Sequence, residues 1–180
     1  LLSLGLLDGL PETQRGRAFL LFPTIERMAQ TPAGRALSPM FGIARRPAIL
    51  LSRLIRRLPG RDRVLLRTVL AAAPLEERSE LLEGILQLEP DSLHNVLCLA
   101  GEELATVVDL PDALLRRHAE RLTLYYGTAD PWNLPGMARE VQERYPAAEV
   151  VLCRDGLSHA FVLRGGAQMA RFVHERVAAG

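Results

Sequence analysis

Among its 180 residues the sequence has no lysine: all 22 basic residues are arginine. Coding bias explains this more simply than chemistry does, and 21 acidic residues leave a formal charge of only +1. That balance gives no general case for nucleic-acid binding, so any basic character must be local. Cysteine is scarce, with Cys98 and Cys153 alone, too few for a disulfide framework; a reducing compartment is the default. No apolar run approaches the length that crosses a bilayer, and no transmembrane helix is expected. The chain opens at Leu1 on an apolar stretch with no basic segment before it, which argues against a signal peptide. The expectation is instead that the natural N-terminus lies upstream and that Leu1 to Leu7 is the tail of a helix, stopped by Asp8-Gly9 and Pro11. Internal repeats and low-complexity tracts are lacking too.

What is present is a chain that is 48% apolar, long enough for one sizeable core and, by typical domain size, one domain. Ala18 to Phe22 is a short apolar run between Arg17 and Pro23 and predicts a buried strand. From Thr31 to His118 there is no comparable run, and the proline and glycine residues punctuate helical pieces. Pro47, Leu50, Leu51, Leu54, Ile55 and Leu58 recur at helical spacing with Arg53, Arg56 and Arg57 on the other side. Pro74 to Leu88, acidic near its start as the helix dipole prefers, predicts a second helix. Ser92 to Val108, with Asp91 as a candidate cap, predicts a third, and Pro111 to Arg121 a fourth. Beyond them strand and helix alternate: Leu122 to Tyr126 and Glu149 to Cys153 as strands, Pro135 to Tyr145 and Gln168 to Ala178 as helices. Strands separated by helices imply an α/β fold with a parallel sheet and right-handed crossovers.

In such sheets the functional groups gather beyond the carboxyl ends of the strands. Asp130 lies on the turn after the first of the two later strands, in Gly127-Thr128-Ala129-Asp130-Pro131-Trp132. His159 lies on the turn after the second, in Ser158-His159-Ala160-Phe161. An acid and an imidazole so placed are two thirds of a catalytic triad, the acid orienting and charging the ring. The third member would be a serine in a G-x-S-x-G turn, preceding the acid and the histidine in chain order. No such string occurs. The nearest, Leu1-Leu2-Ser3-Leu4-Gly5, has leucine where the first glycine belongs and sits in a predicted helix.

Three ordered segments carry a resemblance. They are Phe19-Leu20-Leu21-Phe22-Pro23-Thr24-Ile25-Glu26-Arg27-Met28 with Thr31-Pro32-x-Gly34-Arg35, then Tyr125-Tyr126-Gly127-Thr128-Ala129-Asp130-Pro131-Trp132, then Ser158-His159-Ala160-Phe161. Together they resemble the lipid-droplet-associated serine hydrolase family. The resemblance implies an α/β-hydrolase fold, of which this chain would be the C-terminal part of the parallel sheet, a partial single domain over residues 1–180. A helical cap would occupy 31–118, inserted before the last two strands, and 119–180 would carry the acid and the histidine. It further implies an ester hydrolase acting on neutral lipids, sterol esters among them, in lipid storage and turnover, at the cytosolic face of lipid droplets and the endoplasmic reticulum. Asp130 matches the triad acid and His159 the triad base. The family's Gly-His-Ser-x-Gly turn has no match here and is expected a few residues before Leu1, so the segment alone should be inactive. No cofactor and no metal is implied.

Other assignments compete. Asp155 also lies near a strand end, ahead of His159, and reads as a turn residue with Gly156. Trp132 either lines the pocket or packs beneath its loop. His94, Cys98 and Glu102 share one helix face but make a poor zinc set. Between Arg45 and Arg67, eight arginines face a single acid, Asp62. This stretch suits a phospholipid interface, or else forms a cap helix whose apolar face covers the active site.

Overall fold

The computed structural model describes residues 2–43, 45–55, 57, 59–60, 82–84, 87, 89–163 and 165–178. They fall into two compact units, Leu1–Arg35 with Ala105–Gly180, and Ala36–Leu104. In chain order the helices are α1 (Leu2–Gly9), α2 (Pro32–Phe41), α3 (Arg45–Ile55), α4 (Pro90–Thr106), α5 (Asp112–His118), α6 (Met137–Arg144) and α7 (Gly166–Ala178). The strands are β1 (Ala18–Leu21), β2 (Leu122–Gly127) and β3 (Glu149–Cys153).

The first unit is an α/β layer. Its strands form one parallel sheet in the order β1-β2-β3, with Ala18 beside Leu122 and Thr123 beside Glu149. β2 lies in the middle and is buried along its whole length, which is why it reads as a nearly unbroken apolar run. Its one polar side chain inside the run, Thr123, donates to Glu149 Oε2 at 2.9 Å. Burial raises the Glu149 carboxyl, but the Thr123 hydroxyl and the Arg176 guanidinium together hold it below its ordinary value. The period of two then sorts β2 between the faces. Leu122, Leu124 and Tyr126 meet Leu4, Leu7, Leu115, Met137 and Val141 on one side. Tyr125 meets Phe22, Cys153 and Met169 on the other.

At the base of the first face, α1 and α5 are joined by charge. Asp8 Oδ1 accepts from Arg117 Nη1 at 2.7 Å and from His118 Nε2 at 2.9 Å. Hydrogen bonds from Arg117 and then His118 hold the Asp8 carboxyl below the usual range. His118 is 2% exposed, so a polar ring is tolerated there because it has this partner.

Several boundaries differ from the sequence expectation for identifiable reasons. β1 stops at Leu21 because Phe22 takes a left-handed φ of 50°, yet its N–H still donates to Tyr125 O at 2.8 Å. α6 starts at Met137 rather than Pro135 because Gly136, at φ 91°, turns the chain just before it. α5 ends at His118, and Ala119–Arg121 tighten into a 3-10 turn. α4 starts at Pro90, two residues early, and ends at Thr106, two residues short of Val108. The helix expected over Pro74 to Leu88 lies largely outside the described residues; of it, 82–84 and 87 are helical.

The second unit falls within the stretch 31–118, while 31–35 and 105–118 belong with the sheet. In α3 the packed positions are Ile49 and Ile55. Of the apolar stripe expected from the sequence, Pro47, Leu50, Leu51 and Leu54 are exposed and Ile55 is packed, while Leu58 lies outside the described residues. Arg45 Nη1 reaches Cys98 Sγ at 3.2 Å and Arg53 Nη2 reaches Asp91 Oδ1 at 3.3 Å, tying α3 to α4. Asp91 is itself the acidic residue of the first turn of α4. No described helix is long and apolar enough to cross a membrane.

Candidate active site

The turn after β2 is built around one carboxylate. Thr128 N donates to Cys153 O at 3.1 Å, which prolongs the β2–β3 pairing, and Asn133 N donates to Asp130 O at 3.1 Å. The Asp130 side chain has no exposed surface. A buried carboxylate needs donors, and this one has them on both oxygens. Oδ1 accepts from the Trp132 backbone N–H at 2.9 Å. Oδ2 accepts from Asn133 Nδ2 at 3.1 Å and faces His159 Nδ1 at 3.1 Å.

His159 comes from the turn after β3, and its side chain is 40% exposed. A carboxylate accepts only, so the ring nitrogen against it carries hydrogen. Nδ1–H donates to Asp130 Oδ2, and in the neutral ring the lone pair is then on Nε2, on the far side. That is the tautomer a general base requires.

The apolar and glycine residues around the pair hold the strand ends at a fixed distance. A Cβ on Gly127 would stand 2.5 Å from Phe22 Cε1, so the ring of Phe22 lies directly on the end of β2. The same ring stacks on Phe161 at 5.0 Å and 17°, two residues past His159. Phe22 thus joins the ends of β1 and β2 to the histidine turn. Thr31 Oγ1 donates to Met28 O at 2.8 Å and accepts from Gly34 N at 3.0 Å, capping α2, whose first residue is Pro32. Ala33 N then donates to Pro131 O at 3.0 Å. The segment Thr31-Pro32-Ala33-Gly34 is therefore a clamp on the acid turn.

A cleft of about 500 Å³ opens beside this turn, lined by Tyr126, Asp130, Asn133, Leu134, Met137 and Leu152 among others. Burial, and after it the charge of Glu26, pushes the Tyr126 hydroxyl well above its ordinary pKa. It is a neutral wall of the cleft at any working pH. Trp132 is not part of that lining; its ring stands 6.1 Å from the His159 ring at 52°. Asp155 is engaged elsewhere, accepting from Gln168 Nε2 at 2.6 Å. Ser3 lies inside α1. Cys98 Sγ is 3.4 Å from His94 Nε2, and among the described residues no three His, Cys, Asp or Glu side chains converge as a metal-binding group.

Asn133 went unnoticed in the sequence. The available signal was its position three residues past an aspartate already placed on a turn, where an amide can reach back to the carboxylate.

A parallel sheet flanked by helices, with a buried carboxylate and an imidazole joined beyond the ends of adjacent strands, defines an α/β protein with an acid–histidine pair at one edge of its sheet. The chain belongs to the lipid-droplet associated hydrolase family, whose model matches residues 2–162. It is 34% identical over 174 residues to the lipid droplet-associated hydrolase of Pongo abelii, covering 95% of this chain and 52% of that protein. The corresponding proteins of Gallus gallus and Homo sapiens are 31% and 33% identical, over 96% and 95% of this chain and 53% and 52% of their own lengths. The chain therefore spans about half the length of these relatives. No solved structure matches it.

Proposed function

We propose that the protein is a serine-type ester hydrolase acting on neutral lipids, with sterol esters among its substrates, in lipid storage and turnover. The observation that carries this reading is the contact of His159 Nδ1 with the fully buried Asp130 carboxylate at 3.1 Å. In that arrangement His159 Nε2 takes the proton of a serine hydroxyl as it attacks the ester carbonyl, then delivers it to the leaving alcohol. Asp130 keeps the ring in the required tautomer and stabilises the imidazolium. The 180 residues contribute the acid and the base but no nucleophile turn, and by themselves they are expected to hydrolyse no ester. The stretch 31–118 is read as the helical cap of that enzyme.

The test is a serine-directed covalent probe on the full-length protein. Labelling that disappears on His159→Ala supports the hydrolase; an unchanged label on that variant, or none on the wild type, refutes it.

A second reading, a lipid-surface protein of hydrolase fold with little turnover, is favoured by α3. Leu50, Leu51 and Leu54 are 59%, 54% and 59% exposed, on a helix that also carries Arg46 and Arg53. Such a stripe suits the cytosolic face of a droplet or of the endoplasmic reticulum, with leucines in the interface and arginines at the head groups. Association through this stripe is all that the second reading requires, whereas the first requires turnover as well. Changing the three leucines to serine is expected to weaken binding to phospholipid-coated droplets by about a hundredfold, given ~1 kcal/mol per leucine partly inserted. A triple variant that binds droplets as wild type but has altered turnover would assign the stripe to covering the active site instead.

A further inference from the structure

Asn133 holds a place in the site that the acid–base pair alone does not explain. Its side chain donates to the same oxygen, Asp130 Oδ2, that faces His159. The orientation of its amide follows from chemistry. Turned over, Oδ1 would press its lone pairs against a carboxylate that can only accept. With Nδ2 on Asp130, Oδ1 is buried and has no hydrogen-bond partner among the described residues. A buried acceptor without a partner carries an uncompensated desolvation cost, which an apolar side chain of the same shape would avoid. An asparagine here is accounted for by its donor end.

The donor end does two things. Trp132 N–H on Oδ1 and Asn133 Nδ2 on Oδ2 grip the carboxylate from both sides and keep its plane turned toward His159. The Asn133 hydrogen bond also takes up part of the charge on Oδ2, and so weakens the pull of that oxygen on the imidazole proton. The main chain secures the placement, because Asn133 N donates to Asp130 O at 3.1 Å. We propose that Asn133 is a positioning residue, anchoring Asp130 Oδ2 and setting how firmly His159 holds its proton. This rests on reading Asp130 and His159 as acid and base.

The test is the protonation midpoint of His159, read from imidazole nitrogen shifts in protein labelled at histidine. Asn133→Ala is expected to raise the midpoint by about half a pH unit or more, since Oδ2 loses a competing donor and keeps its charge. His118, seated on Asp8 at the far end of α5, serves as the internal control and should not move. A His159 midpoint that stays put or falls, with His118 native, overturns the proposal. If Asn133→Ala loses the native His118 signal, Asn133→Leu keeps the bulk, removes the donor, and is judged by the same criterion. Asp130→Asn separates this inference from the reading beneath it. If it fails to lower the His159 midpoint, the pair itself is refuted; if it lowers the midpoint while the Asn133 variants leave it unmoved, only the role of Asn133 fails.

Discussion

On the proposed serine-hydrolase mechanism, replacing Asp130 by asparagine in the full-length protein is expected to lower kcat by about four orders of magnitude with KM little changed. The donors already fixed around the carboxylate dictate how the new amide must sit. Trp132 N–H occupies the Oδ1 position at 2.9 Å, so the oxygen of the introduced amide goes there. Its nitrogen is then forced into the Oδ2 position, against His159 Nδ1. Asn133 can rotate its own amide to accept from that nitrogen, so the introduced amide keeps a partner on each side even though Asn133 then turns Nδ2 into the buried position of its present Oδ1. Facing a donor, Nδ1 must give up its hydrogen, and the hydrogen moves to Nε2, the nitrogen that takes the serine proton in the proposed mechanism. The fold survives and the base does not. Steady-state kinetics beside a thermal melt check this. A kcat within about tenfold of wild type, on protein that melts normally, would remove Asp130 from the mechanism.

Gly34→Ala is expected to unfold or badly loosen the acid turn, at a cost of about 3 kcal/mol or more and a melting temperature lower by roughly 10 °C. A Cβ there would lie 2.0 Å from Met28 O, with Met28 C and Thr31 Oγ1 each at 3.0 Å. The obstacle is a carbonyl oxygen, not the end of a flexible side chain, and that oxygen is in use. It accepts from Thr31 Oγ1 at 2.8 Å and from Thr31 N at 3.3 Å. Moving it dissolves the cap of α2 and with it the bond from Ala33 N to Pro131 O. The loss should therefore reach His159–Asp130 coupling as well as stability. Gly5→Ala is the control, since nothing lies within 4 Å of the added methyl and alanine is the better helix former. Equal melting temperatures for the two variants would show that the clamp has room to yield.

The arithmetic of Gly34 shows where sequence reasoning stops. Thr31-Pro32-x-Gly34 reads as a helix start, and α2 does start there. That the glycine is required by a carbonyl six residues earlier is a matter of close approach, which no pattern in the chain encodes. The same holds for Gly127 under the ring of Phe22. Asn133 shows a milder form of the limit: its reach to Asp130 is local, but its meaning depends on His159 arriving from another strand.

What the order of residues did settle is the layout of the sheet. Glu149–Cys153 is a strand with the expected bounds, because four apolar residues, Val150 to Cys153, between turn formers are too few for a helix and suit a short strand. Strands parted by helices favour parallel pairing, and the parallel sheet that forms brings the turns carrying Asp130 and His159 to the same edge. Folding in three dimensions settled orientation and approach. Helical periodicity shows that α3 has an apolar side, but leaves open whether it packs inward; in the structure Ile49 and Ile55 do, and Leu50, Leu51 and Leu54 do not. Periodicity is a property of one segment. Burial, close contact and the direction of a shared proton each depend on two segments meeting, and only the folded chain brings them together.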